Sequence, residues 1–93
     1  MSSRRIQISI VGLGNVGKFI AGALLSLEEV KLEVNIMDPD TDVVGAVYGL
    51  EHAAAIKGLH RFYFNSRDRF LNADFIFHCA GTPVPKGASR LVT

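Results

Sequence analysis

The stretch QISIVGLGNVGKFIAG, residues 7–22, places glycines at positions 12, 14 and 17 between an apolar run and a segment of helical periodicity. The run before the glycines, Ile6 to Val11, is rich in β-branched residues and predicts a buried strand. The segment after them predicts an amphipathic helix, because its apolar residues recur at helical spacing. The residues predicted for its buried face are Val16, Phe19, Ile20, Ala23, Leu24 and Leu27.

The rest of the chain continues the alternation of strands and helices. Apolar, β-branched and aromatic residues predict three more strands, KLEVNIMD at 31–38, HRFYFN at 60–65 and DFIFHCAG at 74–81. A second helix is predicted up to Gly58, with N-cap candidates Asp40, Thr41 and Asp42 and with apolar positions Val43, Val47, Leu50 and Ala54. SRDRFLNAD at 66–74 predicts a short polar helix or a loop.

This alternation predicts an α/β fold, in which helical crossovers join parallel strands and cover the faces of an open sheet. If the glycine turn marks the first strand of a doubly wound, Rossmann-type sheet, the four strands take the order 3-2-1-4. That order is part of a full six-stranded sheet. We therefore expect residues 1–93 to form one partial domain of this type.

Composition limits the classes of function. The chain has 93 residues, of which 48% are hydrophobic, so it can form one small domain. Its net charge is +1 and its Lys and Arg are scattered, so we expect neither nucleic acid nor a membrane as a partner. Cys79 is the single cysteine, which favours a reducing compartment. We interpret MSSRRIQISIV as a polar tail entering a strand rather than a signal peptide, and we expect a soluble, cytoplasmic protein.

The glycine turn and a following acid match the dinucleotide-binding pattern. Gly12 follows a predicted strand, Gly17 lies in the first turn of a predicted helix, and Asp38 ends the next strand about 20 residues further on. Gly12 permits the tight turn, Gly14 lets a pyrophosphate approach the backbone, and Gly17 lets the helix pack closely on the strand. Asp38 would accept hydrogen bonds from the adenosine ribose and repel a 2′-phosphate. The pattern predicts NAD as cofactor in preference to NADP; the alternative is an ordinary turn followed by a helix-capping acid.

Two further segments resemble the lactate and malate dehydrogenase family. They are LEHAAA at 50–55 and AGTPVPKGASRL at 80–91, and with GLGNVG and Asp38 the resemblance spans essentially the whole chain. It implies the first half of the cofactor domain of an NAD-dependent L-2-hydroxy acid dehydrogenase, an enzyme that forms dimers or tetramers and transfers hydride between NAD(H) and a small 2-hydroxy or 2-oxo acid.

The resemblance also implies roles for individual residues. Gly12, Gly14, Asn15, Val16 and Gly17 would hold the pyrophosphate, and Asp38 the ribose. Ala80 and Gly81, at the end of the predicted fourth strand, would contact the cofactor's sugar. Arg90 matches the arginine of a mobile loop that polarises the substrate carbonyl, and it is the catalytic residue implied in this chain. A guanidinium suits that role because it stays charged and donates from a fixed planar fork.

Two departures affect the substrate and the activity. Val84 falls at the substrate-discriminating loop position, where a valine cannot pair with a second carboxylate, so an apolar 2-oxo acid is favoured over malate. The family's catalytic histidine, its partner aspartate and a substrate-binding arginine come later than Thr93. We therefore expect the 93 residues alone to be inactive. The alternative function is a nucleotide-sensing regulatory module, which would have no reason to carry a loop with Arg90.

The second helix also carries a stripe of small residues. Gly45, Gly49 and Ala53 recur every four residues, and mid-helix glycines indicate a close backbone approach. Either a second copy of the chain or the helix's own sheet could supply the approaching surface, and the resemblance favours a homo-oligomer. The three histidines have no spacing typical of a metal site, so no metal is expected. Cys79 is expected to be a small core residue.

Overall fold

The computed structural model describes residues 5–79, which form a four-stranded parallel sheet with helices on both faces. In chain order the elements are β1 (Ile6–Val11), α1 (Asn15–Leu25), β2 (Leu32–Met37), a 3-10 turn (Thr41–Val43), α2 (Val44–Lys57), β3 (Arg61–Phe64), α3 (Arg67–Leu71) and β4 (Phe75–His78). The strands lie in the order β3-β2-β1-β4. The predicted α/β class and the order 3-2-1-4, that of a partial Rossmann-like sheet, are both confirmed.

Three strands end at the same level on one edge of the sheet. Val11, the last residue of β1, is in register with Met37 at the end of β2 and with His78 at the end of β4. The chain leaves the sheet at this edge after β1 and after β2. In open parallel sheets, ligands bind beyond the carboxyl ends of the strands, where the strand order reverses. Here the order reverses between β1 and β4.

One face of the sheet is apolar and forms the core. Its strands contribute alternate residues that lie beside one another in register, such as Ile10 beside Ile36 and Val34 beside Phe62. Ala21 of α1 and Val47 and Ala54 of α2 complete this buried cluster. The apolar positions predicted for α2 therefore do face the sheet: Val47 and Ala54 are buried, and Val43 and Leu50 pack against the cluster. The α2 helix ends at Gly58, whose φ of 74° allows its N–H to donate to the Ala54 carbonyl.

The buried face predicted for α1 is only partly right, since Ile20 and Leu24 pack against the core but Val16, Phe19, Ala23 and Leu27 are exposed. Phe19 is 77% exposed and Val16 is 60% exposed, although both were predicted to be buried. The residues that face the core are Gly17, Ile20, Ala21, Leu24 and Leu25. Gly17 faces the turn because α1 begins only a few residues after β1 ends, so the two backbones lie close together there. Further along the helix, the large residues Ile20, Leu24 and Leu25 pack against the core.

The strand β4 is more exposed than its apolar sequence predicts. Phe75, Ile76 and Phe77 are 58%, 50% and 37% exposed. Within residues 5–79, β4 pairs only with β1 and forms an edge of the sheet. Cys79, directly after it, is half-buried and packs against the core cluster, so the expectation of a small core residue is only partly met.

His60 is a buried histidine that joins two segments of backbone. Its side chain is only 1% exposed. The N–H of Leu32 donates to Nδ1 at 3.1 Å, and Nε2 lies 2.7 Å from the carbonyl oxygen of Leu27. Nδ1 accepts, so Nε2 must carry the proton that it donates, and the ring is neutral. The structural role expected for this histidine is present.

The second face of the sheet is polar and lies under α3. Glu33 of β2 accepts hydrogen bonds from Gln7 of β1 at 2.8 Å and from Arg69 of α3 at 2.5 Å. Arg5 adds a second cation 3.7 Å from the same carboxylate. The Arg69 guanidinium also lies over the ring of Tyr63, 3.5 Å from its centre. The bond from Gln7, together with the neighbouring arginines, lowers the pKa of Glu33 below its ordinary value of 4.5, although partial burial opposes this shift.

This network predicts a loss of stability in acid. Because the pKa of Glu33 is lower in the folded state, its carboxylate stabilises the protein above pH 4.5, and this stabilisation is lost as the pH falls through the folded-state pKa. Glu33→Gln should therefore lower the free energy of unfolding by about 1 kcal/mol at neutral pH and by less at an acid pH below the folded-state pKa of Glu33. Urea unfolding of both proteins at the two pH values measures this difference. A difference independent of pH would contradict the prediction.

Candidate functional site

The glycine turn connects the end of β1 directly to the start of α1. Gly12 has a φ of 95°, which only glycine adopts readily, and its N–H donates to the Met37 carbonyl at 2.7 Å. Gly14 is the N-cap of α1, and its carbonyl accepts from the N–H of Lys18 at 2.8 Å. The turn is therefore attached to β2 at one end and to the first turn of α1 at the other.

Gly17 is the point of closest approach between α1 and the turn. A Cβ added there would overlap the carbonyl oxygen of Gly12 and lie 3.2 Å from its carbonyl carbon. Both atoms belong to the backbone, so neither can move aside without shifting the turn. The close packing expected at this position is present, and it admits no side chain.

Gly14 and the two residues after it form an exposed surface at the N-terminus of α1. Gly14, Asn15 and Val16 are exposed, and a Cβ added at Gly14 would meet nothing within 4 Å. No side chain caps the helix, and its first turn contains no acid. Among the described residues, none accepts a hydrogen bond from the N–H groups of Asn15, Val16 or Gly17. Unpaired N–H groups at the positive end of a helix dipole form a surface suited to an anion such as phosphate.

Asp38 links the carboxyl end of β2 to the glycine turn. The N–H of Leu13 donates to its Oδ2 at 2.8 Å, and the N–H of Asp40 donates to its Oδ1 at 2.9 Å. The side chain is half-buried. A carboxylate oxygen has two lone pairs, so each oxygen keeps acceptor capacity for a ligand hydroxyl. The predicted ribose-binding acid and the predicted phosphate-binding turn are thus in direct contact.

Two asparagines that the sequence did not single out fix the neighbouring loops. Asn65, just after β3, makes hydrogen bonds to both backbone groups of Asp38, at 2.8 and 3.0 Å. Asn35, in the middle of β2, does the same for Ser66, accepting from its N–H at 3.0 Å and donating to its carbonyl at 2.9 Å. Asn35 is only 1% exposed. The sequence does show a polar residue within a buried strand at Asn35, which indicates a structural hydrogen bond. It does not show that Ser66 is the partner, because that depends on the register of the strands.

The end of β4 forms the other side of the same edge. The N–H of Cys79 donates to the Val11 carbonyl at 2.8 Å, which places the start of the segment after β4 beside the glycine turn. Partial burial raises the pKa of the Cys79 thiol above its ordinary value of 9.0, so the group is protonated at neutral pH. The remaining predicted site residues, Ala80, Gly81, Val84 and Arg90, lie outside the described residues.

No group of three or more His, Cys, Asp or Glu residues within 5–79 is arranged to hold a metal ion. No helix in that range is both long enough and apolar enough to cross a membrane.

Comparison with known proteins does not identify a family. No protein-family model matches the chain, and a search of curated proteins finds no significant match. The resemblance to lactate and malate dehydrogenases therefore rests on the sequence motifs alone.

The contact at Gly17 leads to a prediction about stability. Gly17→Ala should lower the free energy of unfolding by about 1–3 kcal/mol, because the new methyl group would displace the Gly12 carbonyl. Gly22→Ala is the matched control in the same helix, since a Cβ there meets nothing within 4 Å. It should raise stability by about 0.5–1 kcal/mol through helix propensity. Urea unfolding measures both variants, and equal effects at the two positions would contradict the close packing.

Proposed function

We propose that this chain is the NAD-binding part of an NAD-dependent L-2-hydroxy acid dehydrogenase of the lactate and malate type. The observation that carries the proposal is the contact between Asp38 and the glycine turn through the N–H of Leu13. It sets a carboxylate with spare acceptor capacity beside the exposed N-terminus of α1. A ligand spanning both places needs hydroxyl groups at one end and phosphate at the other, as the adenosine half of NAD has.

The charge at Asp38 supports NAD in preference to NADP. A carboxylate accepts hydrogen bonds from the two ribose hydroxyls, whereas a 2′-phosphate in the same place would be repelled. Asp40 and Asp42 follow in the same exposed turn and add negative charge to this region. A binding site for the 2′-phosphate would instead need a cation beside the ribose, and the residues bonded to Asp38 are the uncharged Leu13 and Asn65 together with Asp40.

The proposed chemistry is hydride transfer between the nicotinamide ring and the hydroxyl-bearing carbon of a small acid. When bound, NAD supplies the hydride acceptor. Arg90 would polarise the carbonyl oxygen of the 2-oxo acid and stabilise the negative charge that develops there. Val84 would favour a substrate with an apolar side chain. Both roles follow from the resemblance of the segment 80–91, and Cys79 as the single cysteine agrees with a cytoplasmic enzyme.

The outer face of α2 supports the further proposal that the protein is a homo-oligomer. The exposed stripe of this helix carries Gly45, Tyr48, Gly49, His52 and Ile56. Tyr48 is 70% exposed and Ile56 is 77% exposed, and a Cβ at either glycine would meet nothing within 4 Å. The glycines therefore do not serve packing against the helix's own sheet within residues 5–79. Bare backbone flanked by large apolar side chains suits close packing against a second helix.

The cofactor proposal is tested by titrating the protein with NAD and NADP in a calorimeter. The parent chain should bind NAD more tightly than NADP. Asp38→Asn should weaken NAD binding by about tenfold or more, because charge-assisted bonds to the ribose are lost. It should also reduce the ratio of NAD affinity to NADP affinity. Asp42→Asn, a neighbouring exposed acid, is the matched control and should bind NAD as the parent does. Equal NAD affinity in the Asp38 and Asp42 variants would refute the assigned role.

The oligomer proposal is tested by sedimentation. The parent chain should associate as its concentration rises, and Gly49→Arg should remain monomeric because a long cation would block the close approach. Arginine is a better helix former than glycine, so the change should not unfold α2. Gly22→Arg makes the same change at an exposed glycine of α1 and should leave association unaltered. A parent chain that stays monomeric at high concentration would contradict the proposal.

A further inference from the structure

Asn65 has a backbone conformation that sets it apart from its neighbours. Its φ of 53° lies in the left-handed region, and it is the one residue other than glycine with a positive φ in the part of the chain described. Asparagine is among the residues that enter this region most readily. The turn ends β3 at Phe64 and brings the Asn65 side chain back against β2.

The side-chain amide of Asn65 continues the ladder between β3 and β2 after β3 has ended. The backbone N–H of Asn65 donates to the Ile36 carbonyl at 2.7 Å, which is the last bond between the two backbones here. Beyond it, Oδ1 accepts from the N–H of Asp38 at 2.8 Å and Nδ2 donates to the Asp38 carbonyl at 3.0 Å. If β3 continued as a parallel strand, these two groups would be bonded by the carbonyl of one residue and by the N–H of the residue two places further on. The amide offers both from one side chain.

The backbone of Asp38 has little other support. Pro39 follows it and has no N–H with which to bond to the sheet. Pro39 and Asp40 are exposed. On the side of Asp38 that faces β1, the glycine turn makes two contacts. The N–H of Gly12 donates to the Met37 carbonyl, and the N–H of Leu13 donates to the Asp38 carboxylate. The two bonds from Asn65 are therefore the ones that fix the Asp38 peptide.

We propose that Asn65 is a positioning residue, which holds Asp38 in the orientation that accepts hydrogen bonds from the adenosine ribose. This inference rests on the proposed function. Ordering a loop during binding reduces affinity, so a carboxylate that is already held in place binds its ligand more tightly than a free one. Asn65 contributes to ribose recognition through Asp38, by keeping its peptide in line with β2.

The test compares ADP with 2′-deoxy-ADP in the parent chain and in Asn65→Gly. Glycine keeps the left-handed backbone but removes both side-chain bonds, so the turn itself is not strained. The parent should prefer ADP, because its 2′-hydroxyl can donate to Asp38. In Asn65→Gly, ADP affinity should fall by about tenfold, and the ratio of ADP to 2′-deoxy-ADP affinity should fall towards one. A merely structural role would weaken both ligands equally and leave the ratio unchanged.

Two further variants make the result decisive. Asn72→Gly makes the same substitution at the end of α3, where the side chain donates to Asp68, and it should leave both affinities unchanged. Asn65→Asp keeps the acceptor for the Asp38 N–H and loses the donor, so its ratio should lie between those of the parent and Asn65→Gly. If Asn65→Gly unfolds, the affinity ratio measured for Asn65→Asp tests the role of Asn65 in its place.

The possible failures are distinguishable. A parent chain that binds neither NAD nor ADP overturns the proposed function, and the inference falls with it. A parent that binds both, with an unchanged ratio in Asn65→Gly, overturns the role of Asn65 and leaves the proposed function intact. A change of equal size in Asn72→Gly would also overturn it.

Discussion

The near-contact between Gly17 and the carbonyl of Gly12 is the constraint on which the arrangement of the sheet edge depends. A helix that begins so soon after a strand ends has to lie against the backbone it has just left. That proximity brings Gly17 against the turn, and Phe19 lies on the exposed side of the helix. It also leaves the N-terminus of the helix uncovered at the carboxyl end of β1. The exposed N-terminus of α1 and the close packing at Gly17 therefore both result from the short connection between β1 and α1.

The two faces of the sheet are stabilised by different physical means. The face under α1 and α2 is held by buried aliphatic side chains, and its free energy comes mainly from removing apolar surface from water. The face under the short α3 is held by hydrogen bonds and ion pairs around Glu33. A five-residue helix cannot cover much apolar surface, so charged and amide side chains fill the contact instead.

Most of the fold follows from sequence periodicity, whereas only part of the site does. The ends of β1 and α2 agree with expectation because alternation, glycine turns and caps are local signals. The strand order agrees because the glycine turn does follow the first strand of a Rossmann-like sheet. The buried face of α1 agrees only in part, since Ile20 and Leu24 pack against the core whereas Val16 and Phe19 are exposed. That Gly12 and Asp38 lie at the same edge of the sheet could be predicted, because each directly follows a strand and neighbouring parallel strands end at the same edge.

The role of Asn65 could not be predicted in this way. Its partner lies 27 residues away. Only the register between β2 and β3 brings the two residues together. An asparagine beside a serine after a strand reads as an ordinary turn, and the sequence contains no sign that the amide of this one faces a carboxylate-bearing residue. Long-range polar contacts of this kind depend on the assembled sheet.

The neutral ring of His60 has a consequence for the connection between α1 and β2. It joins the carbonyl of Leu27 to the N–H of Leu32, so residues 28–31 form an exposed arc whose two ends are bridged by one imidazole. The ring thus adds a side-chain link between the end of the helix and the start of the strand, beside the backbone bond from the Ile6 N–H to the Lys31 carbonyl. A substitution among the exposed side chains of the arc leaves that link in place, whereas a substitution of His60 removes it.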